Sequence, residues 1–563
     1  MTQDSDSLLS LQRLYHWERV APDRVALTQP MGGGVVRDFT WGQVADQVRR
    51  MASHLQAQGW ERGSKVAILS KNCAWWPMSD LAIWMAGYVS VPLYPTLTHD
   101  TIAQILVHSE AQACFVGKLD GWPDMKPGVP AGLPCISFPL SPPDAIATCE
   151  GWEAICARTA PLEGTPARDA AELATIIYTS GTTGRPKGVM HSFGNLAWAI
   201  DKGVARVPMT PADRMLSYLP LAHVAERVLV EQGWLRAGFH VFFADSLETF
   251  VADIQRARPT IFFSVPRLWL KFQHAVHARM APAKLARLLA IPLVAALVRR
   301  KVLASLGLDR CHFATGGAAP MPVDLLAWYR GIGLPVNEGY GLTENLAVSH
   351  LTVPGRDQHG TVGPPYDGVE ARIDPASKEI QMRNGSLMIG YYKEPELTRE
   401  AFCADGWLHT GDTGQFDGQG LLRITGRLKD LFKTSKGKYI APAPIEDMLV
   451  MHEAIEACVV TGANLRQPLG IAMLNAEAVA RLADPAAVAE LEASLGRHLQ
   501  HVNEALAAHE RLACLVVVTQ AWTVENDIIT PTLKVKRQRI DEVYGSEFER
   551  WESSDRKVIW QTK

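Results

Sequence analysis

Within the first 117 residues, segments with a helical repeat alternate with short apolar runs, and this alternation narrows the available folds more than any other feature. Val44, Val48, Met51 and Leu55 stand at i, i+4, i+7 and i+11, one helical stripe that ends at Gly59. Lys65–Ser70 (KVAILS) then reads as a buried strand, Trp75–Ala86 as a helix and Val89–Tyr94 as a strand. Thr101–Ser109 reads as a further helix and Ala113–Gly117 as a further strand. Strands separated by helices cannot close as hairpins, so the pattern predicts α/β layers with mostly parallel sheets. Residues 119–168 carry many prolines (Pro123, Pro127, Pro130, Pro134, Pro139, Pro142 and Pro143 among them) and read as a surface excursion. Beyond about residue 367, short strands with glycine turns predict a β-rich subdomain. From about 430 another βα pattern begins, with strands near 455–461 and 513–519. A chain of 563 residues predicts several cores at roughly 100–200 residues per domain.

Charge and cysteine usage remove whole function classes. The 56 Lys and Arg against 59 Asp and Glu give a net charge of −3, so no bulk positive field exists to hold nucleic acid. Nine scattered cysteines, none in a C-x-x-C arrangement, fit reduced thiols better than a disulfide framework or a zinc site. Met1-Thr2-Gln3-Asp4 lacks the basic and apolar regions of a signal peptide. The longest apolar run, Leu288 to Val298, is eleven residues broken by Pro292, against the roughly 18 needed to span a bilayer. These features predict a cytoplasmic protein. The stretch 277–305 sets Arg279, Lys284, Arg287, Arg299, Arg300 and Lys301 among Leu, Ala and Val. It reads either as a basic amphipathic helix on a membrane surface or, with more weight, as a solvated helical insertion packed on the domain. Peripheral membrane contact is therefore an open expectation, and a homodimer stays compatible with the sequence.

The strongest local feature is Tyr178-Thr-Ser-Gly-Thr-Thr-Gly-Arg-Pro-Lys-Gly188, directly after a strand predicted over Thr175–Thr179. The hydroxyls of Thr179, Ser180, Thr182 and Thr183 can donate to phosphate oxygens. Gly181 and Gly184 permit close backbone approach, and Lys187 supplies charge. The string is not a P-loop, because Lys187 is followed by Gly188 and the glycine spacing differs. A chance turn would explain the glycines but not the hydroxyl density beside a lysine.

This string resembles the phosphate-loop signature of the adenylate-forming superfamily, and the likeness runs from about Phe39 to Tyr544. Five further segments follow in that family's order. Gly316-Gly317-Ala318 and Glu338-Gly339-Tyr340-Gly341-Leu-Thr343-Glu344 resemble its adenine-pocket and Thr-Glu motifs. Gly406-Trp-Leu-His-Thr-Gly-Asp412 resembles its ribose motif and Thr425-Gly-Arg427-Leu-Lys429-Asp430 its hinge. Thr530-Pro-Thr-Leu-Lys534-Val-Lys-Arg537 resembles its C-terminal lysine motif. The resemblance implies a large N-terminal body of layered α/β subdomains with a β-rich subdomain, residues 1–428. It also implies a small mobile C-terminal α+β domain, residues 429–563, hinged at Lys429.

What the resemblance implies also makes physical sense residue by residue. Tyr340 offers a flat ring for adenine, with Gly316 and Gly317 letting backbone approach the other side. Glu344 beside a triphosphate is repulsive unless Mg²⁺ bridges the two, which makes Glu344 the candidate metal ligand. Thr343 can donate to the α-phosphate, Asp412 can accept the ribose hydroxyls, and Arg427 can orient ribose or phosphate. Lys534 would bring the attacking carboxylate and the α-phosphate together, and Lys438 belongs to the set of binding residues. The implied reaction joins a carboxylic acid to ATP as acyl-adenylate and then to coenzyme A, releasing pyrophosphate and AMP.

The acyl side follows from Leu219-Pro-Leu-Ala-His223-Val-Ala-Glu-Arg227, Pro259–Trp269 and Lys433–Glu446, which resemble the long-chain fatty acyl-CoA synthetase branch. His223 would gate or line the carboxylate site, against the plainer reading of a hydrogen-bonded core histidine. Medium chains stay open. Lys436, where many relatives carry glycine, and Ala225, where an aromatic is common, depart from that branch. Two other readings stand beside the ligase. One is an adenylating enzyme that passes its acyl group to a carrier protein or another acceptor. The other is a non-catalytic nucleotide- or lipid-binding protein, disfavoured by the joint presence of Glu344, Lys534 and the phosphate loop.

Overall fold

The computed structural model describes residues 8–180, 186–356, 358, 360–530 and 534–561. Its largest sheet, among the described residues, has eight strands. The central strands Lys65–Leu69 and Val89–Leu93 lie parallel, as the alternating helices require. Leu173–Ser180 joins them in parallel and pairs antiparallel with Pro186–Ser192, which pairs in turn with Gly390–Tyr391. On the other flank, Ala111–Val116, Cys135–Ser137 and Glu150–Gly151 complete the sheet. Residues 119–168 are thus only partly a surface excursion. Two short strands inside the proline-rich stretch continue the parallel edge, because Pro134 can offer its carbonyl to Cys114 N (2.9 Å) without needing an N–H of its own.

The helices follow their apolar stripes. Trp41–Gln56 starts at a capping box in which Thr40 Oγ1 accepts from Gln43 N and Gln43 Oε1 accepts from Thr40 N. Its Val44, Val48, Met51 and Leu55 are fully buried. Every residue of Trp75–Met85 is buried, which suits a helix apolar on all sides. Two further four-stranded sheets complete the α/β body, one with strands 25–32, 35–40, 214–217 and 240–243, the other with 261–264, 313–316, 336–340 and 350–351. The predicted β-rich subdomain is an antiparallel sheet of strands 370–373, 379–383, 408–416 and 422–427.

The basic stretch 277–305 is not one helix. Pro282 and Pro292 each occupy a first helical turn, so the chain forms Pro282–Leu289 and Pro292–Ser305 after the helix Pro266–Arg279. Leu285, Ala295 and Val302 are their buried residues, and Leu285 and Val302 pack with Trp269, Phe272 and Tyr329. No described helix is long and apolar enough to cross a membrane.

The C-terminal residues build their own core. Strands 455–461, 469–474, 515–518 and 558–561 form a mixed sheet, covered on one side by Leu495, Leu499 and Val502 of the helix Pro485–Ala505. On the other side lie Trp522, Tyr544, Phe548 and Trp551. Contact with the body includes the Arg267–Glu456 ion pair and the apolar packing of Met451 against the Trp269–Phe272 cluster.

Candidate active site

The phosphate-loop string closes a hairpin. Thr179 stands opposite Lys187 and Ser180 opposite Pro186, so the two strands deliver both ends of the loop to one edge of the large sheet. Gly181, Thr182, Thr183 and Gly184 lie outside the described residues. Lys187 Nζ lies 5.5 Å from the ring centre of Tyr391, and Tyr391 Oη donates to Glu344 Oε1 at 2.8 Å. The arrangement sets a cation, a phenol and a carboxylate side by side at the mouth of the loop. Burial, and then the adjacent Glu344 charge, hold the Tyr391 phenol far above its usual range, so it remains a donor at neutral pH.

The Thr-Glu segment is positioned from behind. His191 Nε2 bonds Thr343 O at 2.8 Å, and burial pushes the His191 imidazole down to about 4. Thr343 and Glu344 then begin a short 3₁₀ turn, Thr343–Asn345. Gly341 is required there, since a Cβ would sit 2.4 Å from the Ala347 backbone. Gly317 lies against Gly339 O, Gly316 against Met321, and Ala318 takes a positive φ of 69°. Strand pairing puts Gly316 directly beside Glu338, so the Gly316–Ala318 turn leaves the sheet next to the strand that carries Glu338, Gly339 and Tyr340. Glu338 is buried and accepts from Met321 N at 3.2 Å, and desolvation raises its carboxyl to about 7.

Asp412, the residue expected at the ribose, centres a second cluster. Strand register places it opposite Arg427, whose Nε lies 3.3 Å from Asp412 Oδ1, while Tyr340 Oη donates to Oδ2 at 2.7 Å. The Tyr340 ring is also a core member, packed with Ile380, Met382 and Leu422. Burial raises the Asp412 carboxyl above its usual value, with Arg427 as the opposing influence.

Lys534 reaches this cluster from the C-terminal unit. Its ammonium lies within electrostatic reach of Arg427, Asp412, Asp430 and Glu344, with crowding and the Arg427 charge lowering its pKa. His223 feels the same ammonium, and burial together with Lys534 pushes the His223 imidazole down to about 4. Lys438 is not part of this convergence among the described residues: it stands exposed on the turn of the Phe432–Ile440 hairpin, where its N–H donates to Thr434 Oγ1. Lys429 is exposed just beyond Arg427.

His223 is also a helix cap, accepting from Ala225 N through Nδ1 at 3.2 Å, which leaves the ring neutral. Two residues that sequence reasoning passed over hold its loop. Asn72 Nδ2 donates to Leu219 O (2.6 Å), and Asn72 Oδ1 accepts from Leu221 N (2.9 Å). Glu226 Oε1 accepts from Ser217 Oγ (2.9 Å) and Tyr218 N (3.0 Å), and burial raises this carboxyl to about 8. Behind it runs the π-helical segment Arg227–Gln232. Arg227 is wholly buried, paired with Asp80 and Glu231 and donating to Thr175 Oγ1 (2.7 Å) and Ser90 Oγ (2.7 Å). One guanidinium thus ties the His223 segment to the strand that opens the phosphate loop. Spacing could not reveal Asn72 or Tyr391, because nothing in a lone Asn or a Tyr-Tyr pair marks a distant partner.

Comparison with known proteins bears on this geometry. The AMP-binding enzyme family model matches residues 14–392, and that for the AMP-binding enzyme C-terminal domain matches residues 429–553. A long-chain-fatty-acid–CoA ligase, FadD15 of Mycobacterium bovis, is 32% identical, with 95% of this chain and 96% of that protein covered. Long chain acyl-CoA synthetase 7, peroxisomal, of Arabidopsis thaliana is 28% identical over 92% of this chain and 83% of that protein. Among solved structures, the A domain of a carboxylic acid reductase from Segniliparus rugosus, in complex with AMP and a co-purified carboxylic acid, superposes with a TM-score of 0.80. It is 23% identical, with 98% of this chain and 94% of that one covered. The chain belongs to the AMP-binding enzyme family, within the adenylate-forming superfamily.

Proposed function

We propose that the protein is an ATP-dependent, AMP-forming ligase that joins a long- or medium-chain fatty acid to coenzyme A. The observation that carries this reading is the convergence of Lys534, from one structural unit, on Glu344, Asp412, Arg427 and His223, from the other. A carboxylate attacking a polyanion needs positive charge at the point of approach, and Lys534 supplies it. His223, neutral at pH 7, would orient the incoming carboxylate by hydrogen bonding rather than by charge. Asp412, already braced by Tyr340 and Arg427, would accept the ribose hydroxyls without rearranging its strand. Glu344 offers hard oxygen ligation next to the phosphate loop, so the donor chemistry fits Mg²⁺, which when bound neutralises phosphate charge. Identity of 32% across nearly the whole of a long-chain fatty-acid–CoA ligase supports the acyl class. Each buried methylene contributes ~0.8 kcal/mol, about fourfold in binding, so chain-length choice is a sum of small steps.

The second half-reaction requires the C-terminal unit to turn about Lys429, replacing Lys534 at the site. The Arg267–Glu456 contact, a partly exposed pair that contributes little, supports such a rotation. We also include peripheral membrane contact in this reading. Ile291, Leu293 and Leu297 are half or more exposed (50%, 91% and 54%) beside the exposed Arg287, Arg299, Arg300 and Lys301. The deciding experiment is a panel of carboxylic acids from C2 to C20, plus aromatic acids, read as AMP release with and without coenzyme A. Thioester formation peaking at C8–C18 is the expected result. Adenylate formation without any coenzyme A-dependent thioester would point to a carrier protein as acceptor, and absence of ATP–pyrophosphate exchange with every acid would sink the enzyme reading.

A further inference from the structure

Outside the candidate active site, the β-rich subdomain holds a thiol, an imidazole and a carboxylate in line. Cys403 Sγ lies 3.2 Å from His409 Nε2, and His409 Nδ1 lies 2.8 Å from Glu379 Oε2. Glu379 is buried, at 7% exposure, so its carboxylate is a fixed acceptor that keeps the proton on Nδ1 and leaves Nε2 free to accept from the thiol. The thiol rides on the tight turn closed by Cys403 N to Trp407 O (2.8 Å) and Gly406 N to Cys403 O (2.9 Å). Gly406 takes a φ of 81° there. Arg372 lies within interaction range of the same thiol, held by a bidentate pair with Asp405 at 2.7 and 3.1 Å and stacked over Trp407. The other thiols are differently placed: burial pushes those of Cys73, Cys135, Cys156, Cys311 and Cys514 up to about 11 or 12, and those of Cys114 and Cys458 well above the ordinary value.

We propose that Cys403, His409 and Glu379 form a reactive-thiol modification site that captures soft carbon electrophiles. In the step, His409 Nε2 takes the thiol proton and the sulfur displaces a leaving group from carbon. One S–C bond forms, one carbon–leaving-group bond breaks, and no electrons are exchanged with an outside oxidant. The site is wired to the nucleotide-binding strand, because the second oxygen of Glu379 accepts from Gly411 N at 2.8 Å, one residue before Asp412. An adduct on Cys403 that displaces His409 would therefore disturb Glu379 and the strand it holds.

Iodoacetamide labelling of the full-length protein at pH 7, followed by peptide mass mapping, tests this. An ordinary thiol is only a few per cent thiolate at that pH, so Cys403 should label at least roughly tenfold faster than the partly exposed Cys149, with loss of iodide. His409→Ala should abolish that advantage, and Glu379→Gln, which preserves shape, should reduce it. Equal rates at Cys403 and Cys149, or an unchanged Cys403 rate in His409→Ala, would overturn the proposal. The labelled wild type should bind AMP several-fold more weakly than Cys403→Ser treated in the same way, and equal affinities would overturn the link to the nucleotide strand.

Discussion

The two ends of the candidate active site are built on different physical terms. At the ribose end, Asp412 and Arg427 are register partners on adjacent strands, and Tyr340 is locked by the core beneath it. Their spacing is enforced by backbone hydrogen bonds and survives any movement of the C-terminal unit. At the lysine end, Lys534 belongs to the C-terminal unit, whose contacts with the body include the Arg267–Glu456 pair and Met451. In the proposed function, nucleotide recognition would be permanent, whereas charge compensation would be conditional. On that proposal, an enzyme running two half-reactions in one site would benefit from the division, because the group needed in only one step would be the group that leaves.

The largest expected effect comes from removing the conditional group. Lys534→Ala should lower adenylate formation by ~10²–10³, while thioester formation from synthetic acyl-AMP is spared. Equal loss in both half-reactions would erase the contrast. Asp412→Asn should act on both half-reactions alike, raising the ATP requirement and the AMP dissociation constant by roughly 10–100-fold, since a charge-assisted bond of about 1.5–3 kcal/mol is weakened. Lys429→Pro should separate the half-reactions by about tenfold or more, and unaltered turnover in both would refute the hinge. Arg267→Glu should slow adenylation only a few-fold, with recovery in the double variant Arg267→Glu/Glu456→Arg, as partly exposed pairs contribute little.

The smallest effect is on pH. Burial, followed by the charges of Glu446 and Glu338, raises Asp447 to about 8, and burial raises Glu338 to about 7. Both lie above their unfolded values, so the folded state binds the extra protons. Stability from these groups is present at low pH and is lost as pH rises through 7 to 8. His223, shifted down to about 4, works oppositely and costs stability as pH falls from about 6.5 towards 4. Thermal melts of Asp447→Asn should show a flatter decline between pH 6.5 and 8.5 than the parent, and parallel curves would overturn the assignment to Asp447.

Much of the architecture was legible because it depends on periodicity. The stripe Val44–Leu55 and the KVAILS run are buried where the pattern required, and the strand predicted at 455–461 is observed at Ile455–Thr461. The basic segment, expected with more weight as a solvated helical insertion, does pack Leu285 and Val302 on the domain, and Pro282 and Pro292, suited to first helical turns, divide it into separate helices. Proline density hid two short strands within 119–168, because the prolines flank Cys135–Ser137 and Glu150–Gly151 rather than fall within them.

What the sequence determined by itself was chemistry carried on short contiguous segments: the hydroxyl-rich loop, Tyr340 to Glu344, Asp412 and Lys534. Their order and residue types carry the family resemblance from which the proposed phosphate, ribose and carboxylate contacts follow. Only the tertiary structure decided the partners that come from far along the chain. Tyr391 lies 47 residues from the Glu344 it bonds, and Asn72 lies 147 from the Leu219 carbonyl it holds. Arg227 joins two strands to a π-helical turn, and His409 meets Glu379 from 30 residues away. Local spacing encodes local geometry, but a buried polar group takes its partner from whichever segment packing brings within 3 Å, and that is settled when the sheets and the C-terminal unit come together.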